Sequence, residues 1–169
     1  ILMGYYQMIF NYGEKKFIQK CKVSGVDGLI VVDLSFPDNK NFAKLCKKNS
    51  ICFVQLIAPT TTLKRMKEII RNSHEMIYMI STISTTGSAL KYSIKKIINN
   101  YNIIKKIKPS KNVVIGFGIT EKTISNLRSA DGLVVGSAIC REITRSLKHR
   151  QNPVTNVSKL VRKLKNKII

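Results

Sequence analysis

Tryptophan is absent from this chain and acids are scarce, with nine Asp and Glu against thirty Lys and Arg. So few carboxylates leave few candidates for general acid–base work. Only two histidines are present, His74 and His149, too few for a His-rich metal centre. The four cysteines, Cys21, Cys46, Cys52 and Cys140, show no C-x-x-C spacing and sit inside apolar patterns. That excludes a thiolate metal knuckle or a disulfide framework and reads as buried free thiols in a reducing compartment, the cytosol. No run approaches the roughly 18–20 apolar residues of a membrane span. Ile1–Phe10 also lacks the basic region and small-residue cleavage site of a secretory signal.

What is present is a 169-residue chain, 44% hydrophobic, with a formal net charge of +21. The length suits one domain with a real core. A charge of that size raises the question of nucleic acid. The lysines, however, are spread over the polar faces of successive helices (Lys15, Lys16, Lys20, Lys47, Lys48, Lys95, Lys96, Lys105, Lys106) and are not interleaved with aromatics. Richness in Ile, Asn and Lys together is also what AT-rich codons produce. Nucleic acid is not the expected partner, and neither is a membrane.

The chain alternates apolar β-prone runs with helical patterns. Ile1–Tyr5 reads as the tail of a strand that ends in an aromatic loop, with a turn at Asn11-Tyr12-Gly13. A helix follows over Glu14–Val23. Leu29–Val32 is a continuous β-branched run, typical of a strand buried on both faces, and Asp33 stands at its carboxyl end. Asp38 is a candidate N-cap for a helix Asn39–Lys48. Further strands are expected at Ile51–Ile57 and Met76–Ile80, and further helices from Thr62 to about Arg71 and from Leu90 to Lys106. Val113–Ile115 and Leu133–Val135 are the last two strands. A helix opened by Thr120 joins them, and a short helix starts at Ser137. Arg141–Asn156 reads as a polar connection and Val157–Ile168 as a closing amphipathic helix.

Six strands with helical crossovers mean a parallel sheet. It can close as an open doubly wound sheet or as a barrel from which two units are missing. A full (β/α)8 barrel takes roughly 250 residues, and the shortfall of roughly 80 is what two βα units occupy. The fold class expected is therefore α/β, a (β/α)8 TIM barrel, incomplete, with units three to eight present. Residues 1–169 then form a single partial domain. Starting at Ile1 inside an apolar run fits the C-terminal part of a longer chain.

Chemistry in such a barrel belongs at the carboxyl ends of the strands. Three polar or glycine-bearing loops lie there: Ser81–Ser88, Gly116-Phe117-Gly118 and Gly136-Ser137. Any one glycine is explained by a tight turn alone. Three such loops in adjacent units favour a phosphate held on backbone N–H groups and a helix N-terminus. Of the carboxylates only Asp33 and Glu121 come near. Asp33 reads as a capping or loop-bracing group before it reads as a catalyst, and Glu121 fits a first helical turn. Tyr5 is a rim aromatic or a pocket wall, and His74 is structural.

The segments LMGYY (Leu2–Tyr6), GVDGLIVVDL (Gly25–Leu34), LIAPTT (Leu56–Thr61), the S-x-x-x-x-T-G loop (Ser81–Gly87), VVIGFGI (Val113–Ile119) and DGLVVGSAI (Asp131–Ile139) together resemble the tryptophan synthase alpha chain family. The resemblance implies a barrel that cleaves indole-3-glycerol phosphate to indole and glyceraldehyde 3-phosphate. It implies no cofactor in this chain, since pyridoxal phosphate belongs to a partner beta chain in an alpha2-beta2 tetramer. Carried over, Tyr5, Thr86, Gly87, Phe117, Gly118, Gly136 and Ser137 are substrate-binding residues, and Asp33 is a possible accessory. The family's catalytic glutamate and aspartate lie upstream of Ile1, so no catalytic residue is expected here and the segment alone is expected to be inactive. Departures are Ser35-Phe36-Pro37-Asp38 after Asp33, where paired acids are usual, and Ser84 in place of a glycine. Alternatives within the same reading are a degraded chain kept for beta-chain binding, or another phosphate-binding barrel.

Overall fold

Strand residues sort by parity into two apolar sets. A computed structural model of the chain describes residues 1–81, 94–116, 118–119, 121 and 123–168. Within it lie β1 (Leu2–Gly4), β2 (Gly28–Val31), β3 (Cys52–Phe53), β4 (Gln55–Ile57), β5 (Met76–Ile80), β6 (Asn112–Gly116) and β7 (Gly132–Val134). On one face Leu29 and Val31 pack with Ile18, Cys21, Phe42 and Cys46 from two helices. Further along, Ile77, Met79, Val113 and Ile115 pack with Met66, Ile70, Ile97 and Ile104. The alternate residues Ile30, Val54 and Tyr78, with Leu56, Ile80 and Val114 against them, fill the other face. Burial on both faces is why these strands read as continuous apolar runs.

All strand pairs are parallel and join neighbours in the sequence: β1–β2–β3 in one sheet, β4–β5–β6–β7 in the other. The expected strand Ile51–Ile57 spans the seam. Its first half pairs with β2 and its second with β5, and only Val54 lies between them, its N–H bonded to the Leu29 carbonyl at 2.9 Å. The strand order never reverses, as it must in a doubly wound sheet. The arrangement is the singly wound order of a barrel.

The helices are α1 (Tyr6–Tyr12), α2 (Glu14–Val23), α3 (Lys40–Lys48), α4 (Leu63–Asn72), α5 (Ile94–Ile107), α6 (Ser137–Lys148) and α7 (Pro153–Lys165), with a 3-10 turn at Ile124–Leu127. Four expectations are corrected. The aromatic loop after β1 is helical: Asp33 accepts from the Tyr6 N–H at 2.7 Å, Ile9 is buried, and Gly13 at φ +90 ends the helix. Asp38 does not cap α3. Asn39 holds that position, buried, and its amide is spent on Gln55 and the Leu34 carbonyl. The helix between the last two strands is only the 3-10 turn among the described residues. The polar connection from Arg141 is instead the body of α6 and the start of α7, whose N-cap Asn152 accepts from Val154 and Thr155.

Candidate functional site

Because the ladder pairs Gly116 with Val134, the loops that follow β6 and β7 leave side by side. Gly118 sits at φ +65, a conformation that favours glycine. Gly136 takes the N-cap position of α6, where nothing lies within 4 Å of a would-be Cβ. Ser137 opens the helix. The first turn of α6 holds no acidic residue and Gly136 offers no capping side chain. The leading N–H groups of a helix have no intrahelical acceptor, so this end is open to an anion on the β6 side. Gly118 and the pair Gly136-Ser137 thus follow neighbouring strands at the same end of the sheet. Phe117, Thr86 and Gly87 lie outside the described residues.

An apolar cavity of about 230 Å³ lies at the carboxyl ends of β2 and β4, walled by Val32, Leu34, Phe36, Leu56 and Ile80. Arg65 from α4 stands at its edge and donates to Ser35 Oγ at 3.3 Å and to the Phe36 carbonyl at 2.6 Å. The buried amide pair Asn39–Gln55, at 2.9 and 3.3 Å, holds the far end of the same loop. These braces were not legible in the sequence, because their partners are 16 to 30 positions apart.

Tyr5 is the N-cap residue of α1 and is 62% exposed, on the rim. Asp33 serves as the capping acceptor of α1, the bracing role expected of it. Glu121 is not in a helical turn. It pairs with Lys163 at 2.8 Å and Lys167 at 3.0 Å of the C-terminal segment, and these two cations hold its carboxyl below the usual range. Asp131, just before β7, accepts from the Val113 N–H, Lys105 and Tyr101. Burial works to raise its pKa, but these donors together hold it below the ordinary value. Each of these carboxylates is committed to holding structure.

Among the described residues, one group has the donor types for a metal. Cys52, His74 and Glu75 hold their ligand atoms within 4.8 Å of one another. The chemistry does not fit. His74 Nδ1 accepts the Phe53 N–H at 2.9 Å, so Nε2 carries the ring proton and neither nitrogen is free. Burial pushes the Cys52 thiol up, away from the thiolate a metal needs. The cluster sits at the amino ends of the strands, and His74 is structural, as expected. Cys21 and Cys46 are buried free thiols as read, Cys46 being pushed up to about 12 chiefly by burial; Cys140 is instead exposed.

Sequential parallel strands joined by helical crossovers in this order define part of a TIM barrel. The family profile described as "Tryptophan synthase alpha chain" matches residues 1–169. The chain belongs to that family. It is 65% identical over 168 residues to the tryptophan synthase alpha chain of Pelagibacter ubique, covering 99% of this chain and 63% of that one. It is 32% identical over 151 residues to that of Methanocaldococcus jannaschii, covering 87% and 52%. The crystal structure of the alpha subunit from Legionella pneumophila superposes with a TM-score of 0.82 at 26% identity, covering 99% of this chain and 61% of that one. The tryptophan synthase complex from Pyrococcus furiosus gives 0.78 at 30%, covering 98% and 65%. The chain therefore spans less than two thirds of the length of these relatives.

Proposed function

We propose that this chain forms the phosphate-binding part of a tryptophan synthase alpha chain, which cleaves indole-3-glycerol phosphate to indole and glyceraldehyde 3-phosphate. The observation that carries the reading is the match of the whole chain to that family, with Gly118, Gly136 and Ser137 in the loops that follow the paired strands β6 and β7. In this reading the loops, with Phe117, receive the phosphate. The apolar cavity at the ends of β2 and β4 suits the aromatic end of the substrate, and Tyr5, Thr86 and Gly87 are further substrate contacts. Asp33 contributes by holding α1. The chemical step, protonation of the indole ring carbon with the ring nitrogen held, falls to carboxylates outside these 169 residues. The chain needs no cofactor of its own. The partner is a pyridoxal-phosphate beta chain in an alpha2-beta2 assembly, and the setting is cytoplasmic; among the described residues no helix is long and apolar enough to cross a membrane.

The test is indole release from indole-3-glycerol phosphate, by the 169-residue chain and by a chimera completed with the remainder of the Pelagibacter ubique relative. The chimera is expected to turn over and the chain alone is not. Turnover by the chain alone, or an inert chimera, overturns the assignment. The commitment of Asp33 and Glu121 to structural bonds favours one second reading, a chain kept for binding the beta chain. An inert chimera that still binds that partner supports it.

A further inference from the structure

Ser81 follows β5 and is fully buried. Its N–H donates to the Gly116 carbonyl at 3.0 Å, and its hydroxyl donates to the same oxygen at 2.7 Å. The first bond continues the parallel ladder, in which Ile80 pairs with Gly116, and any residue except proline would make it. The second is peculiar to a hydroxyl. A buried hydroxyl is costly unless bonded, and alanine fits the same space with no such demand, so packing alone does not call for serine. Toward Gly116 the hydroxyl adds direction. With two donors from one residue on one oxygen, the carbonyl cannot swing.

The same glycine is held from a second side. A Cβ at Gly116 would lie 1.8 Å from the Tyr78 hydroxyl oxygen, so the buried Tyr78 ring occupies the place where a side chain would be. Gly116 ends β6, and from it the chain runs to Gly118 at φ +65. A loop that leaves a clamped residue offers its backbone donors in a preset geometry, and ligand binding then costs less ordering.

We propose that Ser81 is a positioning residue for anion binding by the loop after β6. It fixes the Gly116 carbonyl, and with it the direction in which the chain leaves β6 toward Gly118, so that a phosphate meets a Gly118 N–H already held in place. The inference rests on the phosphate reading above.

The test is calorimetric titration of glycerol 3-phosphate into the chain and into Ser81→Ala, with the Gly118 amide signal followed by NMR. Ser81→Ala is expected to bind about five- to tenfold more weakly. Ile18→Val, a core change under α2 remote from β5 and β6, is expected to lower the melting temperature with affinity unchanged. Equal affinity of the chain and Ser81→Ala overturns the role of Ser81 and leaves the phosphate reading standing. Absence of binding by the unsubstituted chain removes both. If Ser81→Ala fails to fold, Ser81→Cys, a weak donor of similar size, is compared in its place, and affinity equal to that of the unsubstituted chain overturns the role.

Discussion

His74 shows how a residue with functional chemistry is held to a structural task. Its Nδ1 lone pair serves the Phe53 N–H at the seam where β3 gives way to β4. Burial, and the nearby Lys47 and Lys111, hold its pKa below 6.5, with Glu75 opposing them. The sign follows from linkage: the unfolded chain binds the proton more readily, so stability is fully present above 6.5 and falls as pH drops through that value toward the folded pKa. Urea midpoints are expected to decline between about pH 7.5 and 5.5 in the parent. In His74→Gln, whose amide oxygen can accept the same N–H without titrating, the decline is expected to be shallower. Parallel curves for the two proteins would sink this account. The histidine was visible in the sequence. Its acceptor role was not, because the Phe53 N–H lies 21 positions away.

Among the elements, the β2–α3 connection is held by side chains from its neighbours. Asn39 and Gln55 exchange hydrogen bonds in full burial, and Arg65 reaches over from α4 to the Phe36 carbonyl. Removing one amide leaves the other buried and unsatisfied, whereas removing both spares the loss. Asn39→Ala is expected to cost about 1–3 kcal/mol, and Asn39→Ala with Gln55→Leu is expected to cost less than the two single changes added together. Denaturant unfolding of the four proteins checks this, and strict additivity would show the pair to be uncoupled. The helices themselves were largely legible: α2 and α4 run close to their apolar periodicity, and α4 starts just after Thr62, which caps it. The misread elements depended on distant partners. The aromatic loop became α1 because Asp33 caps it from 27 positions away.

At the scale of the whole molecule, two features oppose each other. β1 and β7 are edge strands, and beside β1 the side chains of Leu2, Met3, Met8 and Phe10 are exposed. Such an edge invites pairing between chains. The net charge of +21 keeps chains apart until salt screens it. Self-association of the 169-residue chain is therefore expected to grow as ionic strength rises from about 0.05 to 0.5 M. Sedimentation velocity reads this directly, and a mass that does not change over that range contradicts it.

Apolar runs buried on both faces, helical spacing between them and a glycine directly after each late strand are local patterns. They sufficed to establish a parallel α/β chain, the residue segments of the family, and the place of the glycine loops after the last two strands. Local patterns could not decide between a doubly wound sheet and a barrel. That choice depends on which strands pair, and pairing is a long-range fact carried by the order β1 to β7 and by the shared strand Cys52–Ile57. Only the tertiary structure, likewise, identified the structural partners of Asp33, Glu121 and Asp131. A carboxylate's role depends on which donors reach it, and here those donors arrive from elements 18 to 46 residues away.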